Sequence, residues 1–263
     1  MFKRKAIKSD KRIEGTCIDI DMESVHEMFI ERINRTVRDV DAPTIPSSDV
    51  HIDHVKLWTE NECRKWLPCL KLDETSRVLE MGFGTGRMTK YLTPLCGHYT
   101  GIECVDEFVK IAQARTDIHL DNAVLLKGYF HDLATHRLKL PCQTYNRFVI
   151  AAGVFTYIND EEAREDIKAL VPLLSEQEDC IIYISEPIAV ENRLTLNKFY
   201  SEEMKQEYSA IYRTENQYLK LFIPLLEAGF IIKVSEEFFE KDIKGRKETR
   251  QWVFILERRG ANS

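Results

Sequence analysis

Several things are missing from this 263-residue sequence, and each absence narrows what it can be. No stretch approaches the about 18 consecutive apolar residues of a membrane helix. The basic start at residues 1–5 has no apolar run behind it, so neither a span nor a signal peptide is expected. The seven cysteines, at 17, 63, 69, 96, 104, 142 and 180, are odd in number and form no C-x-x-C pair. That excludes a disulfide framework and points to reduced thiols in a cytoplasmic protein. His51-x-x-His54 lacks the neighbouring cysteines or carboxylates that would complete a ligand set, so no metal is expected. An excess of basic charge is also missing. The formal net charge is −6, which argues against a general nucleic-acid binder. Internal repeats and low-complexity tracts are absent. What remains is 44% hydrophobic side chains, enough for one large core.

The most informative segment that is present is Val78-Leu79-Glu80-Met81-Gly82-Phe83-Gly84-Thr85-Gly86-Arg87. Residues 77–80 read as a short apolar strand. Glycines then stand at alternate positions, and residues 88–95 read as the start of a helix. Glycine allows φ > 0 and close approach of a ligand to backbone. A strand, a glycine turn and a helix start place nucleotide-like ligands at the carboxyl edge of a parallel sheet. Glu80, ending the strand, repels phosphate and attracts an ammonium, which suits a cationic nucleoside better than a pyrophosphate.

The pattern E-x-G-x-G-x-G-R after a strand resembles motif I of class I S-adenosylmethionine-dependent methyltransferases. The resemblance implies S-adenosyl-L-methionine as cofactor. It gives Glu80 the methionine end and the backbone of Gly82, Gly84 and Gly86, with Arg87 beside it, the wrapping of that region. Residues 98–103 read as a second strand ending in Glu103, next to Cys104. The offset from Glu80 is close to the about 20 residues at which an acid meets ribose hydroxyls. A third apolar run, 123–127, leads to Gly128-Tyr129-Phe130-His131-Asp132. In the resembled family that loop flanks adenine, so Tyr129 or Phe130 would supply a ring face and Asp132 a polar edge. A fourth run, 147–157, is continuously hydrophobic, as a parallel strand covered on both faces should be. Ala152 and Gly153 are small where a cofactor would pass, with Phe155 and Tyr157 on the far side.

The alternation continues: a helix at 160–174, a fifth strand at 180–185, a helix at 214–228 stopped by Gly229, then strands at 230–239 and 251–258 around a polar turn at 244–246. The expected fold class is α/β. It has a Rossmann-like, seven-stranded, mostly parallel sheet with helices on both faces and an antiparallel C-terminal hairpin, plus an N-terminal helical extension. The domain reading is 1–70 as extension and active-site cover and 71–263 as the cofactor-binding domain. In the extension, 21–37 has the spacing of an amphipathic helix capped by Asp21, 42–48 is a Pro/Ser loop, and 58–70 reads as a second helix with Trp58, Cys63, Trp66 and Leu67 inward.

Residues 187–213 form the substrate-cover insertion, read as a long loop at the carboxyl edge, where substrate contacts concentrate. With Arg246-x-x-Thr249-x-Gln251 it resembles small-molecule methyltransferases of bacterial surface-polysaccharide biosynthesis. Methyl transfer to an oxygen of high pKa needs a proton acceptor. Glu186, His51 and His54 are the candidate catalytic residues. Arg193, Tyr208, Tyr212, Arg213 and Arg246 are the candidate substrate-binding residues, the arginines suiting a phosphate or carboxylate. Three functions stay open. One is methylation of a small, phosphorylated or sugar-nucleotide-type acceptor. The second is methylation of a protein or peptide. The third is a non-catalytic cofactor-binding module. A pocket roofed by 42–56 and 190–213 would favour a small molecule, and an open acidic groove would favour a peptide. Neither membrane nor nucleic acid is expected as a partner.

Overall fold

The computed structural model of the protein describes residues 11–35, 40–44, 53–202, 204–240 and 247–261. Along the chain these form β1 (Arg12–Glu14), α1 (Met22–Arg35), α2 (Asp53–Asn61), β2 (Arg77–Met81), α3 (Thr89–Leu92), β3 (His98–Glu103) and α4 (Asp106–Ala114). They continue with β4 (Ala123–Lys127), α5 (His131–Ala134), β5 (Arg147–Ile150), α6 (Asp160–Leu170), β6 (Cys180–Ala189), β7 (Leu194–Ser201) and β8 (Gln206–Tyr212). The last elements are α7 (Glu215–Leu221), α8 (Ile223–Glu227), β9 (Ile231–Glu237) and β10 (Thr249–Arg258).

Seven strands make one sheet in the order β4-β3-β2-β5-β6-β10-β9. β2 through β6 run parallel, and β10 lies antiparallel between β6 and β9. This is the Rossmann-like architecture expected from the sequence. The period-2 alternation of strands explains the layering. Leu79, Phe148, Ile182 and Phe254 face one side, against Ala163, Ile167 and Leu170 of α6 and Tyr218, Phe222 and Leu225 of the α7–α8 segment. Their neighbours Val78, Val149, Ile181 and Val253 face the other side, against Val55, Trp58, Trp66, Leu70, Met88 and Leu92. Strand order reverses between β3 and β5 around β2, so a crevice opens at the carboxyl end of β2.

Three elements depart from the sequence reading. The helix expected over 58–70 starts earlier, at Asp53. After Asn61 it widens into a π-helical turn, Glu62–Trp66, followed by a 3-10 turn, Leu67–Leu70. The wider turn shifts the phase, so Glu62 rather than Cys63 is buried beside Trp66. The helix expected over 214–228 breaks at Phe222 into α7 and α8, where Pro224 interrupts the hydrogen-bond ladder. The insertion is not a loop. β6 runs on past Glu186 to Ala189, and β7 and β8 form an antiparallel ribbon that takes β1 as a third strand. α1 lies on this ribbon through Val25 and Met28. Asp21 caps α1, its carboxylate accepting from the Glu23 amide at 3.1 Å, as its sequence position predicts. The turn expected at 244–246 falls outside the described residues.

Candidate functional site

The crevice at the end of β2 is a cleft of about 960 Å³, counting its open mouth. It gathers Glu80, Gly82, Gly84, Arg87, Glu103, Cys104, Tyr129, Phe130, Ala152 and Gly153 in one lining. These are ten of the eleven residues that the resemblance marks for the cofactor. Gly86, the eleventh, does not line it. A Cβ there would run into Ile118, so this glycine lets the loop pack on the flank of α4.

The glycine loop is shaped by backbone that other residues rarely adopt. Gly82 and Gly84 have φ of 71° and 59°, in the left-handed region. Space is short as well: a Cβ on Gly84 would stand 2.5 Å from Thr44 Cγ2, and one on Gly82 2.5 Å from Val154 Cγ2. Thr44 belongs to a strap, 41–44, held down on the loop. Asp41 accepts from Thr85 Oγ1 at 3.2 Å, is ion-paired with Arg115, and lies 3.4 Å from Lys90.

The two acids behave differently. Glu103 accepts from the amides of Gly84 and Val105, each at 2.9 Å, so it ties the end of β3 to the glycine loop while still bordering the cleft. Burial raises its pKa above the usual carboxylate range. Glu80 accepts from the Tyr99 hydroxyl and from Thr89 Oγ1. Burial pushes it up to about 7 against the opposing pull of Tyr99, Arg87 and Thr89. Arg87 is fully buried. It pairs with Glu62 at 2.7 Å and donates to Thr59 Oγ1 at 3.3 Å and to the Ala151 carbonyl at 3.2 Å. Tyr183 donates to the other oxygen of Glu62 at 2.7 Å. When both carboxylates are ionised, they leave the group one negative charge in surplus over the Arg87 guanidinium. A ligand ammonium beside Glu80 would balance that surplus. The residues present therefore fit S-adenosylmethionine: the charged group for its ammonium end, bare glycine backbone between, and Glu103 toward a diol. Tyr129 stands half-exposed at the rim. Phe130 is core, with its ring centroid 5.8 Å from Phe148 and 5.5 Å from Phe155. Asp132 accepts from the Tyr129 amide at 2.7 Å and shapes that loop.

The candidate catalytic and substrate residues are placed otherwise. Glu186 is wholly buried under the segment after β5. Its carboxylate accepts from the amides of Val154, Phe155 and Thr156 at 2.6, 2.8 and 3.1 Å, and from the Tyr218 hydroxyl at 3.1 Å. Four donors use the whole acceptor capacity of a carboxylate, so no lone pair is left for a substrate proton. Its pKa is pushed up to about 7 by burial. Glu186 braces the segment carrying Ala152 and Gly153 and does not reach the cleft. His54 lies on α2, away from the lining, and His51 and Arg246 lie outside the described residues. Arg193 and Arg213 converge on Asp160, with contacts of 2.9 and 2.7 Å, and Arg213 also donates to the carbonyls of Phe155 and Ile158. Burial works against the charge on Asp160, yet the two guanidiniums hold its pKa below the usual range. Both arginines pin the ribbon to the start of α6. The Tyr208 hydroxyl stands 3.3 Å from that of Tyr157 and 3.2 Å from that of Tyr212, so the ribbon's tyrosines abut the cleft wall through Tyr157.

Several lining residues were not picked out from sequence. Met22, Val25, His26 and Phe29 of α1, with Thr44, Phe108 and Ile158, complete the cleft. Met22, Val25 and Phe29 belong to the apolar spacing that marks 21–37 as an amphipathic helix, and His26 stands on the same face. No local pattern marked Glu62 or Tyr99 as partners of the glycine loop. Among the described residues, no group of three or more His, Cys, Asp or Glu is arranged to hold a metal. None of their helices is long and apolar enough to cross a membrane.

Comparison with known proteins agrees with this geometry. Residues 78–177 match a family described as a methyltransferase domain. No curated protein matches the chain. Solved structures share its fold at low identity. A SAM-dependent methyltransferase of Leishmania major is 18% identical, with a TM-score of 0.57 over 89% of this chain and 82% of that one. Magnesium protoporphyrin IX methyltransferase of Synechocystis, with bound SAM, is 16% identical, with a TM-score of 0.55 over 92% of this chain and 100% of that one. Phosphoethanolamine N-methyltransferase 1 of Haemonchus contortus, in complex with phosphoethanolamine and S-adenosylhomocysteine, is 16% identical. Its TM-score is 0.64, over 93% of this chain and 51% of that one.

Proposed function

We propose that the protein is an S-adenosylmethionine-dependent enzyme that methylates an oxygen or nitrogen of a small molecule, a reading supported by the match of residues 78–177 to a methyltransferase domain. The cofactor supplies an electrophilic methyl group on a sulfonium. The protein's own task is to hold the acceptor in line and dry. The observation that carries the reading is the make-up of the cleft beyond the cofactor residues. Met22, Val25, His26 and Phe29 of α1 cover it, with Val154, Tyr157 and Ile158 opposite. Glu80 and Glu103, at the cofactor end, are the only acids in the described lining. A basic peptide would want an acidic groove, and the end away from the cofactor residues offers mainly apolar walls instead.

The acceptor's reacting end is uncharged in this reading. Arg87 is the only basic lysine or arginine in the described lining, and it is committed to Glu62. Arg193 and Arg213 are committed to Asp160. The Haemonchus enzyme takes a phosphorylated amine, and here the cleft would suit such a molecule's nucleophile better than its phosphate. Sugar hydroxyls remain the acceptors suggested by the resemblance of the ribbon sequence to surface-polysaccharide enzymes. The test is a screen for S-adenosylhomocysteine formation against sugars and sugar nucleotides, phenols, small amines, phosphorylated metabolites and short basic peptides. Turnover of a small hydroxyl or amine compound is expected. Turnover of peptides alone would overturn the reading.

A further inference from the structure

α1 turns four positions of one face, 22, 25, 26 and 29, toward the cleft. Three are apolar, and the fourth is His26. The helix is wedged firmly on both sides. Val25 packs with Ile20 and Ile211, and Phe29 meets Phe108 and Tyr157 edge-on at centroid distances of 5.9 and 5.2 Å. His26 is the only histidine in the described lining. Its Nδ1 is shut off from solvent and has no hydrogen-bond partner among the described residues. Four other polar groups of the wall are engaged, Glu80 with Tyr99 and Thr89, Glu103 with two amides, Arg87 with Glu62, and the Tyr157 hydroxyl with Tyr208, while the Tyr129 hydroxyl stands out at the exposed rim. Among the buried polar groups of the described lining, His26 is thus the one that a ligand's polar atom would satisfy.

We propose that His26 is the proton acceptor of the reaction and that the substrate presents a hydroxyl to it. The inference rests on the methyl-transfer reading and adds the base and the acceptor chemistry. A hydroxyl both donates to a bare ring nitrogen and needs its proton removed to become a good nucleophile. A neutral amine attacks through its free pair without such help, and an ammonium would want an acid, which the described lining lacks at this end. In the step, the hydroxyl oxygen forms the bond to the methyl carbon. The carbon–sulfur bond breaks with its electron pair going to sulfur, and the hydroxyl proton passes to the His26 imidazole, which later gives it to water.

The test uses the full chain labelled with ¹⁵N-histidine and saturated with S-adenosylhomocysteine, titrated with phenol, methyl glucoside and ethanolamine. The His26 resonances are assigned by their loss in His26→Phe, which keeps the ring volume, and in His26→Gln. At least one hydroxyl probe should shift the His26 Nδ1 signal. With that probe and S-adenosylmethionine, both variants should form S-adenosylhomocysteine at least about 100-fold more slowly. Their dissociation constant for S-adenosylhomocysteine should stay within about twofold of the parent's, because His26 does not hold the cofactor. Several results would overturn the proposal: no shift with either hydroxyl probe, a shift with ethanolamine alone, a probe that shifts His26 but is never methylated, or unchanged rates in the variants. Loss of cofactor binding in both variants would also overturn it, making His26 a structural residue. Failure of the parent protein to bind S-adenosylhomocysteine at all would instead sink the methyltransferase reading.

Discussion

The glycine loop borders the cleft and the β-ribbon stands behind its wall at Tyr157, and the two regions use their polar residues in opposite ways. Around β2 and β3, Glu80, Glu103 and the glycine backbone point their chemistry into the cleft. In and below the ribbon, charged residues satisfy one another. Arg193 and Arg213 close on Asp160, and Glu186 closes on three amides and a tyrosine. The lesson is that a charged residue at the carboxyl edge of a parallel sheet is not thereby a ligand contact. A buried ion must first be paired, and pairing consumes it.

This contrast can be broken by substitution. Changes in the glycine loop should move cofactor binding more than stability, and changes in the ribbon anchor should do the reverse. The largest effect is expected of Gly84→Val. A branched Cβ at φ 59° and 2.5 Å from Thr44 has no place to go. Calorimetry should find S-adenosylhomocysteine binding weakened by about 100-fold or more, a loss of at least about 2.8 kcal/mol. Near-normal binding would show that the loop does not hold the cofactor. Next is Asp160→Ala, which strands two buried guanidiniums. Breaking such a pair costs about 3–5 kcal/mol of stability, so chemical denaturation should show a large loss while the cofactor dissociation constant stays within about twofold. Equal losses in both would erase the distinction between the two regions. Glu103→Ala should weaken cofactor binding by about 1–3 kcal/mol, the worth of charge-assisted hydrogen bonds; an unchanged constant would remove Glu103 from the ribose role.

The pH dependence should be the smallest effect. Glu80, raised to about 7 by burial, must be ionised to attract an ammonium. As pH falls through about 7 it takes up a proton, so cofactor affinity should decline below that point, by no more than about tenfold per pH unit. It should level off above pH 7, and Glu80→Gln should flatten the curve. The same burial acts on folding. Glu80 and Glu186 both have folded pKa values raised to about 7, so their contribution to stability is fully present below the usual carboxylate pKa and is lost as pH rises through about 7.

The sheet was legible because its signals are local. Continuous apolar runs bounded by glycine and polar turns gave all seven of its strands. The glycine loop was legible because only glycine accepts its backbone. The ribbon was missed for a local reason too. A bulge between Leu196 and Phe199, with Lys198 at φ 49°, breaks the alternation that would have marked β7 as a strand. His26 stood at helical spacing with Met22 and Phe29, but nothing in the sequence distinguished a histidine on a wall from one in a core.

By itself the sequence determined the order of strands and helices, the crevice at the end of β2 and the acids in its wall, because each follows from residues a few positions apart. Only the tertiary structure decided which polar groups are free. Asp160 and its two arginines, Glu62 with Arg87 and Tyr183, and Glu186 with the segment after β5 are partners separated by about 25 to 120 positions. No periodicity reaches that far. Whether a charge serves the fold or the ligand is set by what burial brings beside it.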